Sequence, residues 1–535
     1  MNKAKKLFRR IFVAGLVFSI MLVFVSWNDS TGTNQGNELY ASPESNPKAN
    51  TSIKTNCGQP WVKTMPTAKR IFFVSPNGTG DGNTRTTPTS LTTIIKSCQP
   101  GDLIWLLSGT YTGVFNLNRN GTASSPIIYR SYPGEHAKVV GGLKITGDHS
   151  WVWGLEVTDP NDTAEGDIVY SAAEGTVLIN NVLHPEGYNT GIGSWDKPGQ
   201  IVYGNIVYHG HHNIYTQNTG ANGLRWFVDN ISMDAKTNSN GGNGPYEFHA
   251  YAEGGNISGF RLRGNVFANT TVIENSVNGT MLIGGKNKTA NEDIEIESNF
   301  YYNTDLAVGY KRPIQAIVKK NFIVDSQLIY EKFWGKGEAK FPEPAQIIVT
   351  DNKMYWYRKL VSHVRLHTSA YRPDSNSDTG FSRIDKILPF REKDIWDLNT
   401  YSPSFLGEME AGNVFTNYLI KTIDDWRKYT KQAGNEFDKN GKVVPMPTNP
   451  VVFLTPNDYE TGRGHVIVYG FGNAKSVSVD LSSTVKVGSY YEIRRVKDAF
   501  GKPVVSGVYK GGSVSLPIEK NSTGSIFSAY LLTSK

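Results

Sequence analysis

An asparagine followed by an apolar residue recurs through the middle of the chain. The pairs are Asn181-Val182, Asn205-Ile206, Asn230-Ile231, Asn265-Val266, Asn299-Phe300 and Asn321-Phe322, at intervals of 24, 25, 35, 34 and 22 residues. A constant strand start with elastic spacing is typical of stacked coils in a parallel β-solenoid. We interpret the asparagines as a side-chain ladder at one corner of the coils, because a buried asparagine needs hydrogen-bond partners and its counterpart lies one strand spacing away.

The composition agrees with an all-β chain. Of 535 residues, 54 are glycine and 12% are aromatic, and no long amphipathic helical pattern occurs before a segment at 422–429, where we expect a helix. The repeat is expected to fade beyond Asn352 into irregular late coils and a cap. From residue 446 to 535, short alternating runs separated by turn signals predict a C-terminal antiparallel β-sandwich.

The N-terminus has the features of an export signal. Five basic residues lie within positions 3–10 and precede an apolar run of 15 residues at 11–25, which is short for a membrane span. We predict a signal peptide and leader over residues 1–41, with an uncleaved membrane anchor as the alternative, and a flexible polar leader over residues 42–69. The protein is therefore expected to be secreted or at the cell surface, and to meet a membrane only through this segment.

The chain has two cysteines, Cys57 and Cys98, both ahead of the repeats. Neither has the CxxC spacing of a metal pair. In an exported protein they form a disulfide that closes the N-terminal cap, or they remain unpaired. The sequence leaves both possibilities open.

Two segments ahead of the repeats carry a specific resemblance. They read PGDLIWLLSGTYTG from Pro100 and SPIIYRSYPGE from Ser125. Both resemble the opening coils of secreted right-handed parallel β-helix proteins of the pectate-lyase-like superfamily. The resemblance implies an all-β fold with a right-handed parallel β-helix, which we place at residues 70–445. It also implies a carbohydrate-active enzyme, but it does not select among polysaccharide lyases, epimerases and glycoside hydrolases, since one fold carries many chemistries.

The repeat also serves to align the later strand that follows each asparagine in the sequence, by its inward apolar residue. The aligned inward residues are Ile192, Ile214, Phe248, Leu282, Val308 and Ile329, and His212 takes an inward position as well. Side chains alternate along a strand, so the intervening residues are predicted to face solvent. These outward residues are Asn213, Tyr215, Gln217, Glu247, His249, Tyr251, Met281, Ile283, Gly285, Gly309 and Lys311, with Trp195 just upstream. We interpret them as a sugar-binding groove, with an aromatic ladder that merely covers the sheet as the alternative.

The same residues suggest β-elimination from a uronate-containing polysaccharide. That reaction needs a positive charge at the carboxylate, a base for the C5 proton and an acid for the leaving oxygen. The residues assigned to catalysis are His249 as base, Tyr215 or Tyr251 as acid, Lys311 as cation, and Glu247. Those assigned to substrate binding are Trp195, Asn213, Gln217, Lys286 and Arg312; Lys286 and Arg312 are also alternative cations.

Two other functions stay open at this stage. A glycoside hydrolase would need two carboxyl groups across the glycosidic bond, and Glu247 would pair with Glu253, Asp196 or Asp234. A non-catalytic glycan-binding adhesin would need the aromatic face without the titratable groups. We favour the lyase because histidine, lysine and glutamate residues accompany the aromatic residues.

Metal and partner predictions follow from the same residues. His209, His211, His212 and His249 lie close in sequence, but His211 and His212 are predicted to point in opposite directions, so we predict no metal site. Calcium as a cofactor is left open, because the loop 77–83 carries oxygen ligands. That loop has a single carboxylate, however, so we expect it to be a turn. We expect a polysaccharide as partner, no nucleic acid, and a monomeric chain.

Overall fold

The computed structural model describes residues 51–52, 65–161, 166–186, 190–219, 223–236, 244–252, 257–273, 277–285, 291–309, 314–331, 346–358, 362–367, 394–410, 417–432, 435–518 and 524–535. The predicted signal peptide and Cys57 lie outside these residues. No helix within them is long and apolar enough to cross a membrane.

The main domain is a parallel β-helix, as predicted, and its coils wind past three parallel faces. Sheet 1 has twelve strands. They are Arg70–Val74, Asp102–Leu106, Ile127–Ser131, Ser150–Trp153, Val177–Ile179, Ile201–Tyr203, Arg225–Val228, Ser258–Arg263, Asn291–Glu297, Ile314–Lys319, Gln346–Thr350 and Ile395–Asp397.

The other two faces belong to one 22-stranded sheet. Two long strands, Gly109–Leu117 and Ala137–Ile145, begin it, and Ala137–Ile145 pairs with strands of both faces. Sheet 2 continues with Glu156–Asp159, Val182–Pro185, Ile206–Tyr208, Ile231–Met233, Val266–Ala268, Phe300–Tyr302, Phe322–Val324, Lys353–Tyr355, Thr400–Ser402 and Lys442–Val443. Sheet 3 continues with Asp167–Ser171, Thr190–Ser194, His212–Thr216, Tyr246–Ala250, Gly279–Ile283, Thr304–Val308, Leu328–Glu331, Val364–His367 and Gly407–Glu410, with Asn417–Ile420 antiparallel at its end.

The corner between sheets 1 and 2 has two residues in each coil from 154–155 to 398–399. The first residue is left-handed, with φ of 54° at Asn180, 52° at Asp229 and 63° at Gly264, for example. This conformation turns the chain sharply and is most accessible to Gly, Asn and Asp. From residue 181 onward, the second residue of the corner is the repeated asparagine.

The repeated asparagines form the predicted ladder, and Asn230 shows its pattern. Its Nδ2 donates to Val202 O at 2.8 Å and to Asn265 Oδ1 at 2.9 Å. Its Oδ1 accepts from the backbone N and from Nδ2 of Asn205, both at 3.0 Å. All four of these hydrogen bonds are buried, so the amide is saturated.

The ladder runs further than the sequence repeat suggested. Its members are Asn181, Asn205, Asn230, Asn265, Asn299, Asn321, Asn352 and Asn399. It ends on Asp438, whose Oδ1 accepts from Asn399 Nδ2 at 3.1 Å. The prediction that the pattern fades beyond Asn352 is therefore wrong, because a 47-residue interval before Asn399 hides the next coil.

Within the described residues, two helices lie at the ends of the β-helix. Helix α1 spans Leu91–Ile94 and begins at Ser90, whose side chain accepts from Thr93 N. Helix α2 spans Ile423–Gln432, where the sequence predicted a helix, and it buries Trp426 against the last coils. Cys98 follows α1 as a buried free thiol, with Sγ 3.2 Å from the Tyr129 hydroxyl, so no disulfide joins it to another cysteine.

The C-terminal region forms two small sheets around an apolar cluster, as predicted for a β-sandwich. The six-stranded sheet runs in the order Thr51–Ser52, Val451–Pro456, Arg463–Tyr469, Phe527–Ser534, Tyr490–Arg495 and Val505–Val508. It is antiparallel except for the short strand from the leader. The second sheet pairs Ser476–Asp480 with Ser513–Pro517, and a 3₁₀ turn spans Val496–Asp498.

The C-terminal sheet packs on the outer face of sheet 2. The rings of Phe300 and Phe453 lie 4.8 Å apart, and those of Tyr302 and Phe527 lie 5.3 Å apart. The Tyr469 hydroxyl donates to Tyr301 O at 3.1 Å. One apolar cluster includes residues of both domains, so the C-terminal domain is docked by burial of aromatic and aliphatic side chains.

The upstream part of sheet 1 is also covered. The ring of Tyr459 lies edge-on to Trp153 and Tyr203, at 5.6 and 4.9 Å. Met65 and Ala68, from the predicted leader, pack against the same cluster. The aromatic contacts of the outer face of sheet 3, in contrast, are made within the β-helix itself across the described residues.

Replacing Asn230 by alanine tests the ladder. The change leaves the buried backbone N–H of Asn205 without its acceptor and removes one hydrogen bond each from Asn205 Nδ2, Val202 O and Asn265 Oδ1, so we expect the free energy of unfolding to fall by about 3 kcal/mol or more. Urea denaturation followed by circular dichroism measures the loss. Asn116→Ala, at an exposed strand position, is the matched control, and equal losses in both variants would contradict the role of the ladder.

Asp438 makes stability depend on pH. Burial raises the pKa of its carboxyl from the ordinary 3.8 to about 7. The folded protein therefore holds this proton more tightly than the unfolded chain, and stability falls as pH rises from about 4 to about 7, by at most about 4 kcal/mol from this group. We expect Asp438→Asn to flatten the decrease of the melting temperature between pH 5 and pH 8. The exposed Asp424→Asn variant should keep the wild-type slope.

Candidate active site

The outer face of sheet 3 carries one continuous row of side chains. Strand pairing places the following residues side by side: Asn116, Lys144, Tyr170, Gly193, Tyr215, His249, Leu282, Ala307, Ile329 and Arg365. Neighbouring members lie one strand spacing, roughly 4.8 Å, apart. The row is polar and aromatic up to His249 and apolar for the next three coils.

The predicted alignment is correct for three coils and then slips. Ile192, Ile214 and Phe248 pair as expected, but Phe248 pairs next with Met281 and not with Leu282. Met281 and Ile283 are therefore interior residues with 0% exposure, and their predicted outward position is wrong. The loops between these coils differ in length, so the sequence alone does not show where the alignment shifts by one residue.

His212 also faces the side opposite to the prediction. Its ring stacks on Tyr246 at 5.0 Å and on His249 at 5.1 Å, and His211 lies edge-on at 4.6 Å. The two adjacent histidines therefore lie together and do not point apart. The described residues contain no group of three or more His, Cys, Asp or Glu side chains arranged to hold a metal.

His249 lies at the centre of a stack of rings. The ring centroids of Tyr246 and Tyr251 are 4.2 and 5.2 Å away in nearly parallel planes, and Tyr215 meets the imidazole edge-on at 5.3 Å. The residue is 9% exposed, and burial lowers the pKa of its imidazole to about 3. The ring is neutral at physiological pH and a weak base, because an efficient general base has a pKa near the working pH.

Glu247 and Asn213 occupy a buried corner and not the groove. Both are 0% exposed, and Asn213 Nδ2 donates to Glu247 Oε2 at 2.8 Å. The Ala235 backbone N–H donates to both carboxylate oxygens, at 3.1 and 3.3 Å. The predicted outward position of the two residues is wrong, because the strand turns both Asn213 and Ile214 inward and breaks the alternation.

Tyr215, Gln217 and Tyr251 lie on the outer face, as predicted, and are linked to one another. Gln217 Nε2 donates to the Tyr215 hydroxyl at 3.0 Å, and that hydroxyl donates to Tyr251 O at 3.3 Å. All three residues are half-buried. The phenol of Tyr215 is therefore held in place while remaining reachable from solvent.

The sequence reasoning missed Asp167. Its strand lies one coil before Ile192, where the alignment began, and an extension by one coil would have found both Asp167 and Tyr170. Asp167 Oδ2 accepts from Trp195 Nε1 at 2.7 Å, and its carboxylate lies over Gly193, where a Cβ would collide with it. Burial raises the pKa of this carboxyl to about 6, although the bond from the indole opposes the shift.

Arg225 supports Trp195 from inside the coil. It is 0% exposed, and its Nη2 donates to Trp195 O at 2.7 Å and to Lys197 O at 2.8 Å. Its Nη1 donates to Ser194 Oγ at 2.5 Å and to Gln200 Oε1 at 3.1 Å. Burial lowers the pKa of the guanidinium to about 10, so the group stays charged at neutral pH and fixes the 195–200 loop.

Several predicted site residues lie outside the described residues. They are Lys286, Lys311, Arg312 and Glu253, so the cation of the predicted lyase site stays a prediction. Lys144 is an exposed cation in the outer row, three coils before Tyr215, which is about 14 Å at one strand spacing per coil. Asp196 accepts from Thr219 N at 2.7 Å, and Asp234 pairs with Lys497 of the C-terminal domain.

Part of the chain is similar in sequence to two bacterial enzymes. Over 112 residues it is 32% identical to pectate lyase L of Dickeya chrysanthemi and 30% identical to pectate lyase L of Dickeya dadantii. Each alignment covers 17% of this chain and 26% of the enzyme, so about a quarter of those relatives is spanned. This similarity and the parallel sheets confirm the resemblance to pectate-lyase-like proteins. No family model matches the chain.

Solved structures give weaker likenesses. The pectate lyase Pel9A is 14% identical with a TM-score of 0.35, covering 57% of this chain and 75% of that one. A PL6 alginate lyase in complex with a trisaccharide is 13% identical with a TM-score of 0.36, covering 71% and 95%. At such values the likeness bears on neither the reaction nor the residues.

Replacing His249 distinguishes a packing role from a catalytic one. His249 Nδ1 has no hydrogen-bond partner among the described residues, so His249→Phe keeps the stack and should change the unfolding free energy by less than about 1 kcal/mol. His249→Ala leaves a cavity between rings and should cost about 2–3 kcal/mol. We expect the phenylalanine variant to keep most of the wild-type rate of polysaccharide cleavage, the activity predicted from the sequence. A rate near zero in that variant, with an unchanged circular dichroism spectrum, would restore His249 as the base.

Proposed function

We propose that the protein is a polysaccharide lyase that cleaves a uronate-containing polymer along the outer face of sheet 3. The observation that carries the proposal is the row of reachable rings on this face: Tyr170, Trp195, Tyr215 and Tyr251 are half-buried, while the C-terminal domain and Tyr459 cover parts of the other two faces. Flat rings at coil spacing suit the apolar faces of successive sugars. We also propose that the protein acts outside the cytoplasm.

The relatives support an acidic substrate. The matched segment belongs to enzymes named pectate lyases, and pectate is a uronate polymer. We extend this substrate class to the present chain as a proposal. Lys144 would meet a carboxylate near the upstream end of the row, and Lys311, Arg312 or Lys286 would neutralise the carboxylate at the cleaved bond.

Tyr215 is the proposed proton-transfer residue. Its hydroxyl is held by Gln217 and by Tyr251 O at the centre of the open row, whereas the low pKa of His249 makes that imidazole a poor base. The C5 proton would pass to a solvent molecule in the open row, the electron pair of the C5–H bond would form the C4–C5 double bond, and the phenol of Tyr215 would protonate the leaving glycosidic oxygen. Tyr251, the alternative acid in the sequence prediction, would then only stack against the ring of His249.

The burial of Glu247 argues against the hydrolase alternative. Hydrolysis needs two carboxyl groups on either side of the bond, and Glu247, on which that mechanism depended, is fully buried in a corner. Asp234 is bonded to Thr270 and Lys497. Only a measurement of polysaccharide cleavage distinguishes the lyase from the adhesin alternative.

The decisive experiment assays the full chain on a panel of acidic and neutral polysaccharides while following the ultraviolet absorbance of the unsaturated product. We expect that absorbance to rise on an acidic polymer. Tyr215→Phe should lower the rate by about 100-fold or more, because general acid catalysis is worth at least that much. Tyr490→Phe, an exposed tyrosine of the C-terminal domain, is the matched control.

Two results would overturn the proposal. New reducing ends without the unsaturated chromophore would show a hydrolase. Binding to a polysaccharide with no cleavage of any polymer in the panel would show an adhesin. A Tyr215→Phe variant with the wild-type rate would leave the lyase in place and reject the role of Tyr215.

A further inference from the structure

The carboxylate of Asp167 occupies a place in the outer row that has no side chain of its own. Gly193 stands between Tyr170 and Tyr215 in the strand pairing, and the Asp167 carboxylate lies over it, where a Cβ would collide. The row therefore presents ring, carboxylate and ring in succession. Trp195 flanks this place, with ring centroids 6.2 Å from Tyr170 and 5.2 Å from Tyr215.

These groups are fixed before any sugar arrives. The Trp195 indole N–H is bonded to Asp167, and the Trp195 and Lys197 carbonyls are bonded to the buried Arg225. Arg225 in turn is held by Ser194 and Gln200. A preorganised platform loses less side-chain freedom when it binds, which is the condition for a specific subsite.

The chemistry of this place favours a sugar without a carboxylate. Tyrosine and tryptophan rings accept the CH faces of a pyranose, and an aspartate oxygen accepts sugar hydroxyls. A uronate carboxylate at the same place would meet a like charge, which disfavours binding strongly. No cation forms an ion pair with Asp167 in the part of the chain that is described. The pKa of Asp167, about 6, leaves the carboxyl ionised at neutral pH.

We propose that Asp167, Tyr170, Trp195 and Tyr215 form a subsite for a neutral sugar. The polymer that the protein cleaves then contains neutral sugars next to its uronates, and is not a uronate homopolymer. This inference rests on the proposed lyase function and narrows its substrate class.

The test compares a uronate homopolymer, polygalacturonate, with a heteropolymer in which acidic and neutral sugars alternate, a rhamnogalacturonan backbone. We measure kcat/KM from the absorbance of the unsaturated product. For the wild type we expect this value to be at least about tenfold higher on the heteropolymer than on the homopolymer. Asp167→Asn keeps an acceptor for the indole and removes the charge. It should raise kcat/KM on the homopolymer severalfold and lower it on the heteropolymer, so that the ratio shrinks.

Glu174→Gln is the matched control, because it removes one exposed negative charge near the same coil without touching the row, and it should keep the wild-type ratio. A wild type that prefers the homopolymer, or an unchanged ratio in Asp167→Asn, would overturn the subsite while the lyase function stands. If neither of these polymers nor any other acidic polymer of the panel gives an unsaturated product, the lyase function fails. Affinity electrophoresis of the wild type and of Asp167→Asn in gels containing each polymer then decides the subsite. Retardation of the wild type by the heteropolymer alone supports the subsite, and equal retardation by both polymers rejects it.

Discussion

The side-chain ladder of asparagines at one corner is the interaction on which the rest of the structure depends. Each inner member uses all of its amide hydrogen-bonding capacity on neighbouring coils, as Asn230 does, so a coil that shifted along the axis would leave several buried groups unpaired. A one-residue slip of any coil would also turn its interior side chains outward, so the register of the strands has to be held. The ladder supplies that register, and the positions of Tyr215 and His249 side by side follow from it.

The C-terminal domain has a structural part in this arrangement. It buries the outer face of sheet 2, and Asn457 and Tyr459 reach the left-handed corner residue Asn180 and the rings above sheet 1. A module joined by a flexible linker would not share an apolar cluster with the β-helix. Neither of these contacts covers the outer face of sheet 3, where Tyr170, Tyr215 and Tyr251 are half-buried.

The fold was predictable from the sequence, and the site was predictable only in part. The asparagine period and the apolar residue after it are local signals, so they predicted the ladder and placed Tyr215, Gln217 and Tyr251 correctly. Glu247 and Asn213 were misplaced because strict alternation fails where two successive residues turn inward at a corner. Met281 was misplaced because loops of unequal length hide a one-residue shift. Asp167 was missed because the alignment began one coil later, at Ile192; the position of its carboxylate over Gly193 of the next coil is a contact that periodicity alone does not show.

The corner between sheets 1 and 2 has a constant length of two residues, whereas the connections on either side of sheet 3 vary in length. Between sheets 1 and 2 the connection has the same length in every coil from 154 to 399, whereas the connections that flank sheet 3 range from a single residue at Asn303 to 12 residues or more, as at 234–245. Insertions in those flanking loops would alter the walls of the groove without disturbing the stacking of the coils. The coil stack and the loops that flank sheet 3 can therefore vary independently, and under the proposed function grafting loops at these two corners would change substrate preference on an unchanged scaffold.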